Sequence, residues 1–201
     1  MHLVNVVLFL HIFIALAAFG CATLVHVWQG VSKGATSTAT LKAWSPVMHR
    51  IEPLFPILAL ILFGLGAWLI GLSDGEFSWG DGWVIASIVG LFAMEAAGGA
   101  VLAPGGKKLH AAIMSAPDGP VDASLRALVL DRAVWAVGVF ETATALGIVY
   151  LMTNKPSGLA SALIVAACAL VGAAIGAAAA GEPASAPLAT SAPAAAQADG
   201  S

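Results

Sequence analysis

Long apolar runs separated by short polar connections are the main feature of this chain of 201 residues. Five runs are close to or above the length of about 20 residues that an α-helix needs to cross roughly 30 Å of hydrocarbon. They cover residues 3–28, 54–72, 82–103, 133–152 and 159–180. Backbone groups in hydrocarbon must satisfy their own hydrogen bonds, which a helix does within one segment. The pattern therefore predicts an all-α, polytopic membrane bundle of five transmembrane helices, without significant β-structure.

Turn and cap signals divide the apolar runs. The third connection, residues 104–121, contains Pro104-Gly105-Gly106 and Pro117-Asp118-Gly119-Pro120, and both sequences are strong turn signals. Asp122 then has the character of an N-cap, because leucine and valine follow it at helical spacing. We therefore expect a loop over the third connection. The fourth helix is expected to begin near Asp122 and to continue into the membrane as one rod.

The end of the chain has a composition of its own. From Gly181 onward it is almost entirely alanine, proline and serine, which offer no apolar face to bury. We expect a five-helix transmembrane domain over residues 1–180 and a disordered tail over residues 181–201.

Composition excludes several classes of protein. Hydrophobic residues make up 60% of the chain and charged residues only 9%, whereas soluble domains carry roughly 25% charged residues. A water-facing surface cannot be built from this composition. Nucleic-acid binding is not expected, because no basic run is longer than Lys107-Lys108. The lipid bilayer is the expected environment, and other membrane proteins or a second copy of the chain are the remaining possible partners.

The basic residues predict the orientation of the bundle. Seven of the eight fall in the first or third connection or at the start of the fourth helix, and they are Lys33, Lys42, Arg50, Lys107, Lys108, Arg126 and Arg132. Lys155 alone falls in an even-numbered connection. Cytoplasmic connections carry the excess of lysine and arginine. We therefore expect the N-terminus outside, the C-terminus in the cytoplasm, and a multi-pass protein of the bacterial cytoplasmic (inner) membrane.

Two glutamates lie in the middle of predicted transmembrane helices. A charged side chain at this depth costs at least ~2.5 kcal/mol, so such residues usually have a use. At ~1.5 Å per residue, Glu95 lies about 18 Å below the outer end of its helix and Glu141 about 16 Å above the inner end of its own. Small residues such as Gly98 and Gly138 share their faces, which indicates helix contact. One interpretation is a shared site for protons or a cation. The other is that each glutamic acid is neutral and joins two helices by hydrogen bonding.

Histidines offer a second chemistry. His11 lies ~12 Å below the outer end of the first helix, deep enough to join the two glutamates if the helices are adjacent. His26 follows on nearly the same face, and His49 and His110 lie at predicted cytoplasmic helix ends. His11 could bind a haem, and His26, His49 and His110 could converge on a cytoplasmic-side metal or haem. The simpler interpretation of the last three is that they are interfacial side chains exposed to water.

Three function classes follow from these residues. They are an embedded proton or cation site built from Glu95, Glu141 and His11, a haem- or metal-linked redox protein, and a non-catalytic membrane subunit. No phosphate loop, dinucleotide fingerprint or nucleophile–base pair occurs in the sequence, so an enzyme mechanism of the soluble type is not expected.

Several short motifs resemble known membrane families. The motifs are Leu10-His11, His26-Val27-Trp28, Arg50-Ile51-Glu52-Pro53, Asp131-Arg132 and the Met-Thr-Asn-Lys-Pro sequence at 152–156. Over roughly residues 3–178 the chain resembles a family of predicted bacterial integral membrane proteins whose domain has no known function. It is more loosely similar to the copper-resistance D and HemJ-like membrane proteins, which share a histidine in the first helix. The HemJ-like resemblance implies binding of haem b and porphyrinogen oxidation, with His11 as the candidate ligand.

The predicted topology can be tested with reporter fusions. We expect cytoplasmic signals from fusions after Thr40, Gly119 and Gln197, and an external signal from a fusion after Gly75, because the basic connections stay inside. Alkaline phosphatase and a fluorescent protein serve as paired reporters. Any other pattern contradicts the five-helix topology or its orientation.

Overall fold

The computed structural model describes residues 3–181, and these residues are helical with short connections and no strand. The helices are α1 (Leu3–Gly34), α2 (Thr38–Ile51), α3 (Leu54–Gly71), α4 (Gly82–Ala97), α5 (Ala103–Ser115), α6 (Ala123–Val129), α7 (Arg132–Asn154) and α8 (Gly158–Ala180), and a π-helical turn (Gly98–Leu102) joins α4 to α5. Within this range, five segments are long and apolar enough to cross a membrane. The predicted all-α membrane bundle is confirmed. Of the predicted tail, residues 182–201 lie outside the described residues.

The five segments form two groups. Helix α1 packs mainly along α3, while α7 packs tightly against α8, and α4 packs on both α7 and α8. The α7–α8 interface depends on glycine. A Cβ at Gly172 would lie 2.8 Å from the Val139 carbonyl oxygen, and one at Gly176 would lie 2.8 Å from Cα of Ala136. These glycines have the GxxxG spacing, and their missing side chains let the two backbones approach closely.

A small apolar core lies on the predicted cytoplasmic side. It is built from α2, α5, α6 and the end of α1, and its buried members are Trp28, Ala35, Leu41, Met48, Ile113, Leu125 and Val129. Arg126 of α6 ties this core to α1. Its guanidinium donates hydrogen bonds to the carbonyls of Ser32 (3.3 Å), Lys33 (2.8 Å) and Ala35. Carbonyls at the end of a helix lack partners within the helix, so one arginine satisfies three of them here.

The predicted turn at Pro104-Gly105-Gly106 is wrong, because these residues lie in the first turns of α5. The π-helical turn before them makes this possible. The Ala103 N–H bonds to the Gly98 carbonyl, one residue further back than in an α-helix, and the hydrogen-bond register therefore shifts just before Pro104. Proline lacks an N–H and is tolerated where the register changes or a helix begins. The second predicted turn, at Pro117–Pro120, lies between α5 and α6 as expected.

The fourth membrane segment is not the continuous rod that we expected. Asp122 is an N-cap, as predicted, and accepts a hydrogen bond from the Leu125 N–H at 2.7 Å. The helix that it starts ends at Val129, however, and α7 begins at Arg132. Asp131 causes the new start, because its carboxylate accepts hydrogen bonds from the N–H groups of Ala133 (2.9 Å) and Val134 (3.1 Å). A side chain that bonds the backbone in this way competes with helix continuation.

The Asp122 cap makes the stability of the cytoplasmic core depend on pH. Two hydrogen bonds hold the pKa of the Asp122 carboxyl below its ordinary value. The larger effect comes from the Leu125 N–H and the smaller from the Ser124 hydroxyl. A carboxyl with a lowered folded-state pKa stabilises the fold fully above its unfolded pKa of about 3.9, and this contribution is lost as pH falls through the folded value. Asp122→Ala should therefore lower the melting temperature at pH 7, and its difference from the wild type should shrink towards pH 3.

Thermal unfolding in detergent micelles measures this effect. Asp122→Asn is the matched control, since asparagine caps helices as well as aspartate but does not ionise. It should stay near wild-type stability at pH 7. An Asp122→Ala protein as stable as the wild type at pH 7 would show that the cap contributes nothing.

Candidate functional site

A cavity of about 1320 Å³ lies between the α1–α3 pair and the helices α4 and α7. It follows the bundle from one end to the other. Asp74, Glu76 and Trp79 line it at the predicted outer end, and Lys107 and His110 line it at the predicted cytoplasmic end. Because the two helix groups make few contacts across this space, the cavity is the seam between them. Side chains from both groups face it.

Both embedded glutamates line this cavity, Glu95 from α4 and Glu141 from α7. They are close enough for their charges to interact. The Glu141 carboxylate lies against Gly98, where an added Cβ would be 2.5 Å from Oε1. Glycine at this position therefore leaves room for the carboxylate between α7 and the end of α4. Among residues 3–181, neither glutamate has a side-chain hydrogen bond or an ion pair. Both carboxylates face the open cavity instead of joining two helices.

His11 reaches the same cavity from α1. Its side chain is buried, with 8% of the residue exposed, and its ring packs over Gly66 of α3, where an added Cβ would lie 3.5 Å from Cε1. The ring lies beside the Leu62 backbone. Its Nδ1 atom nevertheless has no hydrogen-bond partner of good geometry among the described residues. Buried polar atoms in native proteins nearly always have a partner, and the backbone group beside this closed-off nitrogen is that of Leu62 on α3.

His26 has protein partners on both ring nitrogens. Nδ1 lies 2.9 Å from Gln29 Oε1, and Nε2 lies 2.8 Å from Thr142 Oγ1 on α7. Thr142 can also donate to the Gly138 carbonyl at 3.3 Å. The buried Gln29 amide rests on Gly138, where an added Cβ would be 3.0 Å from Nε2. This network joins α1 to α7 directly beside Glu141.

His49 and His110 form a pair of their own at the predicted cytoplasmic end. Their rings stack with centroids 4.4 Å apart and planes 5° from parallel. Ser45 Oγ lies 2.8 Å from His110 Nδ1, and Glu52 Oε2 lies 3.9 Å from His49 Nδ1. The Glu52 carboxylate rests on Gly106, where any Cβ would overlap it. All four polar side chains line the cavity.

The structure therefore does not bring His26, His49 and His110 together as one ligand set. Both ring nitrogens of His26 bond to Gln29 and Thr142. Over residues 3–181, no three histidine, cysteine, aspartate or glutamate side chains are grouped so as to hold a metal ion. Exposure to water, the simpler interpretation, suits His49 best, since 45% of its side chain is exposed.

Sequence reasoning missed three members of the site, Gln29, Thr142 and Glu52. The i, i+3 spacing of His26 and Gln29 places both on one face of an apolar helix, and this is the signal that could have identified Gln29. Thr142 and Glu52 carry no such signal. Their roles depend on which helix lies opposite.

The chain was compared with protein families, curated proteins and solved structures. No curated protein and no solved structure matches it. One family matches, and its description is "predicted integral membrane protein", which names a location and no activity. The match covers residues 5–156, from α1 to the end of α7, and so includes every residue of the site described above. The chain belongs to DUF2269, a family of predicted integral membrane proteins.

Proposed function

We propose that this protein binds and releases protons at an embedded carboxyl site formed by Glu95 and Glu141, with His11 on the opposite wall, in the cytoplasmic membrane of a bacterium. One observation carries the proposal. Three ionisable side chains from α1, α4 and α7 face a single cavity within the bundle, and neither carboxylate has a hydrogen-bond or ion-pair partner among residues 3–181. Ionisable residues inside a membrane mark proton and ion pathways when they face a cavity.

The carboxylates of Glu95 and Glu141 have no hydrogen-bond partners among residues 3–181, and this argues against a purely structural role for them. Embedded side chains that join helices do so by hydrogen bonds across the interface. The carboxylates of Glu95 and Glu141 make no such bonds among the described residues, whereas His26 and Thr142 do. Two carboxyl groups in one low-dielectric site are not expected to ionise together, so they can share and exchange a proton.

The ligand count favours a proton over a metal cation. Hard metal cations take about six or more oxygen ligands, and residues 3–181 contain no cluster of even three suitable side chains. A proton needs only one oxygen. Asp74 and Glu76 line the outer end of the cavity, and acidic groups at such an entrance raise the local concentration of cations, including protons.

Infrared titration of the carboxyl groups tests the proposal. If Glu95 and Glu141 share a site, Glu95→Gln should change the titration curve of Glu141, and Glu141→Gln should change that of Glu95. Each variant should lose proton exchange as completely as the double variant, because one partner alone does not make the pair. Asp118→Asn is the control, since it removes an exposed carboxyl that does not line the cavity and should leave the embedded pair unchanged.

Independent titration of the two groups, each near pH 4 as for free glutamate, would contradict the proposal. A structural role predicts a different pattern. Gln would then be tolerated at both positions, while Leu would destabilise the protein by ~0.6–2 kcal/mol, the range for hydrogen bonds in membranes. Thermal unfolding of the Gln and Leu variants distinguishes the two roles.

A second function, haem binding, is favoured by His11 alone. The His11 ring lines the cavity, and a cavity of this size suits a bulky group with one imidazole ligand. A bound haem would supply redox chemistry. An absorption spectrum of the purified protein tests this. The proton proposal expects no Soret band, and a Soret band that is lost in His11→Ala would assign His11 as a haem ligand.

A further inference from the structure

We infer that the polar residues at the inner end of the cavity form the route by which protons pass between the carboxyl pair and the cytoplasm. The route runs from Glu141 through His26, Gln29 and Thr142 to Glu52 and the stacked His49–His110 pair. This inference rests on the proposed function, because the route serves the Glu95–Glu141 site. It assigns a role in proton transfer to side chains that otherwise join α1 to α7 or line the inner end of the cavity.

Contacts with glycine give the order of these groups along the cavity. Gly98 follows Glu95 by about one helical turn towards the cytoplasm, and the Glu141 carboxylate lies on it. Gly138 lies about one further turn inward on α7, and the Gln29 amide rests on it. Gly106 lies further inward on α5, beneath the Glu52 carboxylate. The polar groups therefore follow one another from the carboxyl pair towards the cytoplasmic end, and all of them line the cavity.

The hydrogen bonds of His26 suit both of its protonation states. Gln29 Oε1 only accepts, so the neutral ring carries its proton on Nδ1, and Nε2 accepts from the Thr142 hydroxyl. When Nε2 takes up a proton it becomes a donor to Thr142 Oγ1. The hydroxyl proton then turns to the Gly138 carbonyl, its second acceptor. No polar atom loses its partner in either state.

Proton transfer from Glu141 to His26 is balanced and needs no other reactant. The O–H bond of the Glu141 carboxyl group breaks, an N–H bond forms at His26 Nε2, and the carboxylate and imidazolium charges remain close together. Both side chains line the same cavity. Polar cavities of sufficient size hold water that bridges such groups. The imidazolium then gives its Nδ1 proton to water on the inner side of the cavity and becomes neutral, and the Gln29 amide turns so that its N–H group donates to Nδ1.

The inner end of the route opens to solvent. His49 and Glu52 are the exit groups, with side chains 45% and 34% exposed, while His110 is anchored by Ser45. The two rings stack with centroids 4.4 Å apart, and two positive charges at that distance would repel each other. Glu52, the residue that follows α2, lies beside His49, and Lys107 of α5 is close enough to interact with Glu52. Glu52 stabilises the transferred proton, and Lys107 opposes its accumulation.

Sided proton delivery in liposomes tests the route. The full chain is reconstituted, and the side bearing Lys42 is identified by labelling with an impermeant amine reagent. A rapid pH change is then applied to one side at a time, and the carboxyl infrared band is followed. His26→Gln should leave the equilibrium titration of the pair unchanged and slow its response from the Lys42 side by about 100-fold, within the range for a positioned acid or base. The response from the opposite side should stay at the wild-type rate.

Thr142 provides a conservative pair of variants. Thr142→Val removes the hydroxyl and should slow the response from the Lys42 side, whereas Thr142→Ser keeps the hydroxyl and should restore it. Thr153→Val, an exposed hydroxyl at the other end of α7, is the matched control. His110→Gln should also slow the response from the Lys42 side, and it tests the exit if the His26 variant does not fold.

The outcomes separate this inference from the proposed function. If the pair titrates as a coupled unit but every variant responds at the wild-type rate from the Lys42 side, the route is wrong and the carboxyl site stands. If the carboxyl groups titrate independently in the wild type, the proposed function fails first. Equal slowing from both sides would show that the substitutions damage the carboxyl site itself, which also overturns the route.

Discussion

Loss of water around the backbone is the constraint on which the rest of this structure depends. In hydrocarbon every N–H and C=O group needs an internal partner, so the chain crosses as helices. Between such helices there is no hydrophobic driving force for association, and close packing depends on small residues. That packing is continuous between α7 and α8 and sparse between the α1–α3 pair and the other helices. The cavity is the result of this unequal packing.

Glycine decides where polar side chains can enter the seam. His11 lies over Gly66, Glu141 over Gly98, Gln29 over Gly138 and Glu52 over Gly106. At Gly98 and Gly106 the carboxylate occupies the volume that a Cβ would fill, at Gly138 the Gln29 amide would be in tight contact with it, and at Gly66 the His11 ring would be in ordinary van der Waals contact. The same absence of Cβ that lets α7 and α8 touch therefore seats the candidate functional groups elsewhere. The absence of a side chain at glycine therefore contributes both to helix packing and to the placement of the polar groups in the cavity.

Polar groups within the bundle fall into two kinds. His26, Gln29 and Thr142 satisfy one another and connect α1 to α7, while the carboxylates of Glu95 and Glu141 face the cavity and have no hydrogen-bond partner among residues 3–181. A buried group that is satisfied stabilises the fold, and an unsatisfied one is destabilising unless it binds something. This contrast between neighbouring groups is the physical basis for placing the function at the carboxyl pair. The family assignment adds the location in the membrane and no activity.

The sequence by itself determined the five membrane segments and the Asp122 cap, because hydrophobic length and helix-start signals depend on local order alone. It could not reveal that Pro104 lies within a helix, because the π-helical turn that precedes it has no clear sequence signal. It also did not reveal that Asp131 interrupts the fourth segment. Tertiary structure alone decided which side chains share the cavity. The partner of His26 is 116 residues away, and lateral position depends on which helices pack together, a choice that no single helix encodes.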